Sequence, residues 1–178
     1  GTMTVAVGYE AAISQTTGNR NTVLGYQAMR TADGGEDFNT IIGSQAGYYI
    51  NNDASHDNVI IGKNALQGGT GTILGNVAIG TNAMDAVSNN SQTGTIAIGS
   101  DALGALTSGG ENLAIGYQAM GSMDTGAANI AIGYQTMDGL NHADADANIA
   151  LGNNALGGAA NVALHSCVAI GHNACLLY

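Results

Sequence analysis

Short apolar runs that end on a glycine recur along the whole chain at nearly constant spacing. Successive copies of this glycine lie 17 to 19 residues apart. Self-similarity at a fixed period is the signature of a solenoid, in which each repeat packs on its neighbours. The glycines that mark the copies are Gly8, Gly25, Gly43, Gly62, Gly80, Gly99, Gly116, Gly133, Gly152 and Gly171. The sequence therefore predicts one repeat domain over 1–178 with about ten coils.

Each copy carries a short strand before its glycine. The run Leu113, Ala114 and Ile115 before Gly116 is representative: it is short, apolar and preceded by asparagine. A run of this length, bounded by turn-forming residues and rich in Val and Ile, indicates a strand rather than a helix. The predicted fold is an all-β solenoid, a parallel β-helix or β-roll, with this strand repeated in every coil.

Alternation along the strand gives it two apolar faces. Leu113 and Ile115 share one face, which we assign to the core, and Ala114 lies on the other. The slot after the glycine, held here by Tyr117, varies between copies and is expected to face solvent. A slender coil has only one interior, so the second apolar face needs another chain to cover it.

Asparagine recurs four residues before the glycine. Its repetition in one slot implies a repeated backbone need, and amides in successive coils can bond one another. We therefore expect a structural amide ladder rather than a ligand site. The ladder comprises Asn21, Asn39, Asn58, Asn76, Asn112, Asn129 and Asn148.

Composition and charge exclude several classes of partner. The chain has 28 glycines, no proline, no tryptophan and a formal net charge of −10 with three Lys and Arg residues. A basic patch for nucleic acid or anionic lipid is therefore absent. No stretch of about 18 apolar residues occurs, so we expect no membrane insertion. The Gly-Thr start, without methionine, indicates a fragment of a longer protein.

Four tyrosines in the slot after the glycine are the candidate receptor-binding residues. Tyrosine offers an apolar face on which sugar rings stack, and Asn and Gln residues nearby can bond sugar hydroxyls. The glycine-rich and acidic connectors between strands are the other candidate binding elements. The tyrosines are Tyr9, Tyr26, Tyr117 and Tyr134.

Two groups of residues are candidate metal ligands. Asp144 and Asp146 place carboxylate oxygens at alternating positions, which is a weak signal for Ca²⁺. Near the end of the chain, soft ligands for zinc or another transition metal gather at His165, Cys167, His172 and Cys175. The alternatives are that both cysteines are small apolar residues with the histidines on the surface, or that the cysteines form a disulfide.

Few residues suggest catalysis, and we expect that this chain is not an enzyme. Polysaccharide cleavage needs paired carboxylates at a cleft. The candidate pairs, Glu36 with Asp37 and Asp144 with Asp146, lie in acidic loops and are expected to be solvated turn residues. The segment 79–84 matches the hexapeptide of left-handed β-helix acyltransferases. Only a third of each coil conforms to that pattern, and cations for coenzyme A are scarce.

The unit Asn112-Leu-Ala-Ile-Gly-Tyr-Gln-Ala-Met120 resembles the repeats of viral and phage tail fibres and spikes, and those of trimeric autotransporter adhesin heads. The resemblance covers nearly the whole chain. Adhesin repeats are shorter, about fourteen residues, which favours the viral fibres. It implies a homotrimer, with chains intertwined or side by side, on a virion surface or otherwise extracellular.

The function implied is attachment to a host-surface glycan or protein receptor. The alternatives are a bacterial adhesin head, a non-binding shaft segment or, less favoured, a polysaccharide-cleaving tailspike. The motif is specific for architecture and weak for receptor identity, so no binding residue can be carried over from either family.

Overall fold

The computed structural model describes residues 3–140, 145–158 and 163–176, and within them every regular element is a β-strand. Most strands have three residues and directly precede a repeat glycine. The strands are β1 Val5–Val7, β2 Thr22–Leu24, β3 Thr40–Ile42, β4 Val59–Ile61, β5 Ile73–Leu74, β6 Val77–Ile79, β7 Gln92–Thr93, β8 Ile96–Ile98, β9 Leu113–Ile115, β10 Ile130–Ile132, β11 Ile149–Leu151 and β12 Val168–Ile170.

Ten of these strands stack into one parallel sheet in chain order, with about nine turns of the coil between them. Pairing is in register throughout, so that Ala114 lies opposite Ala97 on one side and Ala131 on the other. The remaining two strands, β5 and β7, form a small second sheet in the connectors. The prediction of an all-β parallel solenoid is confirmed.

The core is built from the middle residue of each strand rather than from the residues on either side of it. Ala114 is fully buried, whereas Leu113 and Ile115 on either side are only partly buried, and the same pattern holds in most strands. Our assignment of Leu113 and Ile115 to the core is therefore wrong. The middle residue is alanine in most strands but isoleucine in β3 and β4, so its burial follows from its position in the alternation and not from its size.

Three further columns of side chains complete the core, and they come from the chain after the glycine. In the coil of Gly116 they are Ala119, Met120 and Met123, all fully buried. The connectors thus supply most of the apolar volume, while the sheet contributes one wall.

The corners depend on left-handed backbone. Gly116 has φ 135°, and a Cβ there would lie 2.3 Å from the carbonyl oxygen of Gly133 in the next coil. Gln118 and Met120 follow with φ 52° and 53°. The equivalent slots of the other coils hold no Val, Ile or Thr, which are the side chains least compatible with this conformation. The repeat is therefore set by backbone geometry as much as by packing.

Candidate functional site

The outward side of the large sheet is an apolar surface, which we call the outer sheet face. Each strand contributes its first and third residues, and all of these are Val, Leu or Ile except Thr22 and Thr40. The ten strands contain no charged residue. In the single chain this face is exposed to differing degrees: Leu24 is 47% and Ile132 is 38% exposed, while Ile115 is intermediate.

The outer sheet face is long as well as apolar. Parallel strands lie about 4.8 Å apart, so ten of them extend over roughly 43 Å. Monomeric proteins rarely leave a contiguous apolar patch of this kind in water, and such patches mark interaction sites. The face is the surface feature that most requires a partner.

The asparagine column lies buried at the edge of the sheet and forms an amide ladder. In each step the Oδ1 of one asparagine accepts the backbone N–H of the next, as between Asn129 and Asn148 at 3.0 Å. The Nδ2 of Asn148 donates to Asn129 Oδ1 at 3.1 Å and to the carbonyl of Leu164 at 2.7 Å. The ladder is interrupted at Thr95, whose Oγ1 is buried without a partner among the described residues.

A second amide ladder runs two residues after the glycine, and our sequence reasoning missed it. Gln135 donates to Gln118 at 2.8 Å, and Asn82 donates to Asp101 at 3.0 Å. The signal was present, since this slot holds an amide or an acid in every coil. The ladder joins side chains of neighbouring coils next to the slot that holds the exposed tyrosines.

The candidate tyrosines lie outside the coil and form two stacked pairs. The rings of Tyr117 and Tyr134 are 5.5 Å apart with an interplanar angle of 14°, and those of Tyr9 and Tyr26 are 5.5 Å apart at 11°. All four side chains are between 46% and 64% exposed. The two pairs are separated along the solenoid by coils with Ser44, Lys63, Thr81 and Ser100 in the same slot. They therefore form two patches rather than one continuous column.

One tyrosine pair lies beside a charged cluster. Arg30 Nε contacts Glu10 Oε2 at 2.7 Å, and Gln27 donates to the same oxygen at 2.8 Å. The hydrogen bond from Arg30 is the main cause of a lowered pKa at Glu10. The hydrogen bond between Tyr9 and Glu10 in turn raises the pKa of Tyr9. Since Arg30 is engaged in this way, it adds little free positive charge to the surface.

The four candidate metal ligands near the end of the chain are not brought together as one group in the structure. All four are described, yet no three His, Cys, Asp or Glu side chains in the described part of the chain lie where they could share an ion. Cys167 is partly buried, and its pKa is raised by burial and then by the neighbouring Cys175 thiol. The two thiols are free and adjacent, while His165 and His172 are exposed.

Two of the candidate acids accept hydrogen bonds from the backbone of a neighbouring coil. Asp146 Oδ1 accepts the N–H of Ala127 at 2.7 Å, and Asp37 accepts the N–H of Asn19. Asp144, its proposed partner for Ca²⁺ or catalysis, lies outside the described residues.

Glu36 is a buried acid inside the coil, with no exposed surface. Its Oε2 accepts the N–H of Gly34 at 3.1 Å, and its Oε1 has no partner among the described groups. Burial raises the pKa of this carboxyl, and the negative charges of Asp53 and Asp33 raise it further. The expectation that Glu36 is a solvated turn residue is wrong, because its slot points into the core.

No protein-family model matches the chain, and neither a curated protein nor a solved structure is significantly similar to it. The described residues contain no helix long and apolar enough to cross a bilayer. The structure therefore defines a class, the parallel β-solenoid, and its function has to be argued from the surfaces described above.

Proposed function

We propose that this chain is a homotrimeric segment of a viral fibre or spike, exposed on the virion, that attaches to a host-cell surface and performs no catalysis. The observation that supports this most strongly is the outer sheet face. It is apolar apart from Thr22 and Thr40, carries no charge and is exposed to differing degrees in the single chain.

Self-association is the economical way to cover this face. A copy of the same chain offers a surface of equal length, equal strand spacing and equal apolar character. Three copies around a threefold axis each bury the same face, and the assembly closes without leaving an open end. Consecutive coils of one chain already pair with each other, which favours chains that lie side by side over intertwined chains.

The tyrosine pairs lie outside the core and outside the outer sheet face, and we assign attachment to them for this reason. Tyr117 and Tyr134 lie just past the corner glycine and present ring surface outside the core. Aromatic faces with amides nearby suit the rings and hydroxyls of surface glycans. A chain with net charge −10 cannot rely on cationic steering. Binding is therefore expected to depend little on salt.

The test is binding of the labelled fragment to a panel of bacterial and eukaryotic cells and to a glycan array. The double variant Tyr117→Ala, Tyr134→Ala is compared with Asn153→Ala, which changes the same slot in another coil. We expect the double variant to lose most binding and the control to keep it. Binding that collapses between low and moderate salt, or that survives loss of both rings, would contradict the tyrosine proposal. Absence of attachment to every surface would leave a non-binding shaft.

A further inference from the structure

A cleft with a mainly apolar lining surface and several polar side chains lies in the connectors of the early repeats, outside the strands of the large sheet. Its volume is about 400 Å³, within the range of roughly 300–1,000 Å³ that small-molecule sites occupy. Its lining includes Tyr49, Asn51, Thr70 and Asn89, and no charged residue contributes to it. None of the lining residues belongs to a strand of the large sheet.

Two consecutive glycines line the cleft. Gly68 and Gly69 occupy the slots that hold Tyr49 and Ile50 in the preceding coil. A Cβ on Gly69 would lie 1.9 Å from the carbonyl oxygen of Ser88, and one on Gly68 would lie 2.6 Å from Ile50 Cγ1. These positions cannot accept a side chain without movement of the backbone. The two glycines therefore allow neighbouring coils to approach closely and leave only backbone on this part of the cleft lining.

The aromatic wall of the cleft is held in place from behind. Tyr49 is 52% exposed, and its ring meets that of Tyr48 edge to face, 4.4 Å between centroids. The Arg30 guanidinium lies 5.7 Å from the centre of the Tyr48 ring, and Arg30 is itself anchored by Glu10. This chain of contacts orients Tyr49 before any ligand arrives, which lowers the entropy that binding has to overcome.

Uncharged polar groups surround the Tyr49 ring. Asn89 Oδ1 accepts the hydroxyl of Thr70 at 3.2 Å, which orients the amide. Asn51 is a half-buried lining residue and adds a second side-chain amide. Ser88 is an exposed residue of the same lining. Such a set favours a neutral ligand with several hydroxyls and an apolar ring face, and it offers no cation for a phosphate and no carboxylate for a metal ion.

We propose that this cleft binds a neutral saccharide ring, stacked on Tyr49 and hydrogen-bonded by Asn51 and Asn89. The proposal rests on the attachment role for its biological purpose, but its chemistry is tested with free sugars and without any host cell. It places this site in other coils than Tyr117 and Tyr134 and away from the outer sheet face. The Arg30–Glu10 contact behind its aromatic wall adjoins the Tyr9 and Tyr26 pair.

The test is saturation-transfer NMR on the full chain with glucose, galactose, N-acetylglucosamine, maltose and lactose at about 10 mM, a concentration that detects millimolar affinity. We expect transfer to the ring protons of at least one neutral sugar. Tyr49→Ala is expected to weaken binding of that sugar about tenfold, which is the scale of one aromatic contact. Tyr49→Phe keeps the ring and is expected to keep binding. Asn51→Ala and Asn89→Ala are expected to weaken it as well.

The control is Tyr117→Ala, which removes an exposed ring elsewhere on the coil. Absence of transfer to every sugar, or equal binding by wild type and Tyr49→Ala, would overturn the cleft proposal. Loss of sugar binding in Tyr117→Ala but not in Tyr49→Ala would overturn it too, while leaving the attachment role intact. Sugar binding that depends on Tyr49 in a chain that attaches to no cell would support the cleft and refute the attachment role.

Discussion

Asn39 Oδ1 accepts two hydrogen bonds from Asn58 in the next coil, one from the backbone N–H at 3.1 Å and one from Nδ2 at 2.9 Å. The Asn58 amide then donates to the carbonyl of Ile73 at 2.7 Å and accepts the N–H of Asn76 at 2.9 Å. One side chain therefore satisfies polar groups of two neighbouring coils. Because all of these groups are buried, each bond that is lost leaves an unpaired group behind.

The gap in the ladder at Thr95 makes the first prediction. Thr95→Asn supplies an amide in a slot that accepts asparagine in seven other coils, so we expect stabilisation by about 1 kcal/mol. This corresponds to a rise in Tm of about 2–4 °C for a chain of this size. Thermal unfolding followed by circular dichroism measures the shift at a fixed protein concentration.

The reverse change, Asn58→Thr, is the matched control for the ladder. It removes the bonds to Asn39, Ile73 and Asn76 while placing in the slot a residue that Thr95 shows to be tolerated. We expect destabilisation by about 2 kcal/mol. A Thr95→Asn variant that melts below wild type, or an Asn58→Thr variant that melts with it, would mean that the ladder contributes little to stability.

Glu36 gives a prediction for pH dependence. Its folded-state pKa is raised, so the folded chain holds the proton to a higher pH than the unfolded chain does. This acid therefore destabilises the fold increasingly as pH rises from the ordinary glutamate range through the raised value. We expect Glu36→Gln to be more stable than wild type at pH 7, by about 1 kcal/mol, and to lose that advantage near pH 4.

Paired denaturation curves at the two pH values measure this effect, and the difference between variants cancels the other acids of the chain. The glutamine side chain of this variant can still accept the N–H of Gly34, so the local hydrogen bond is preserved. Destabilisation by Glu36→Gln at pH 7 would show that the ionised carboxylate has a partner in solution.

The two faces of one strand give the third prediction. Ala114→Asp places a carboxylate inside the coil, where an unpaired charge costs several kcal/mol, and the chain is expected to lose its β signal. Ile115→Asp places it on the outer sheet face, and we expect the coil to persist while assembly fails. Tyr117→Asp changes an exposed slot and is expected to alter neither. Circular dichroism reports on the coil and light scattering on assembly.

The decisive comparison is between Ala114→Asp and Ile115→Asp, which change two neighbouring residues of one strand. Equal loss of the β signal in Ala114→Asp and Ile115→Asp would contradict the observed register. Unchanged assembly in Ile115→Asp would show that the outer sheet face is not the interface.

Much of the fold was predictable because the same slot recurs in every coil. A single Asn58 would say little, whereas asparagine in slot after slot indicates a shared backbone requirement, and the amide ladder follows. The repeat glycines are predictable for the same reason. Gly116 needs both a left-handed φ and room for the backbone of the next coil, and no other residue offers both.

Which face of each strand points into the coil was not predictable in the same way. Alternation shows that Ala114 and Ile115 point to opposite sides, but both are apolar, so the pattern does not say which side is inside. Packing decided it, because the narrow interior is also filled by Met120 and Met123 from the connectors. The burial of Glu36 was missed for the same reason, because the sequence does not say which connector slots face inward.

The cleft was unpredictable for a geometric reason. Gly68 and Gly69 do not stand out in a chain with 28 glycines. Their effect depends on the alignment of three successive coils, which places Tyr49 on one side of the gap and Ser88 on the other. Because connector lengths differ between copies, that alignment is set by the folded stack and cannot be read from the repeat alone.

The most direct test of this account is the mass of the wild-type protein in solution, measured by size exclusion with light scattering. One chain has a mass of 17.7 kDa. The outer sheet face predicts a particle of three chains that persists on dilution, because its apolar columns have to be covered. A stable, non-aggregating particle of one chain would contradict the central claim.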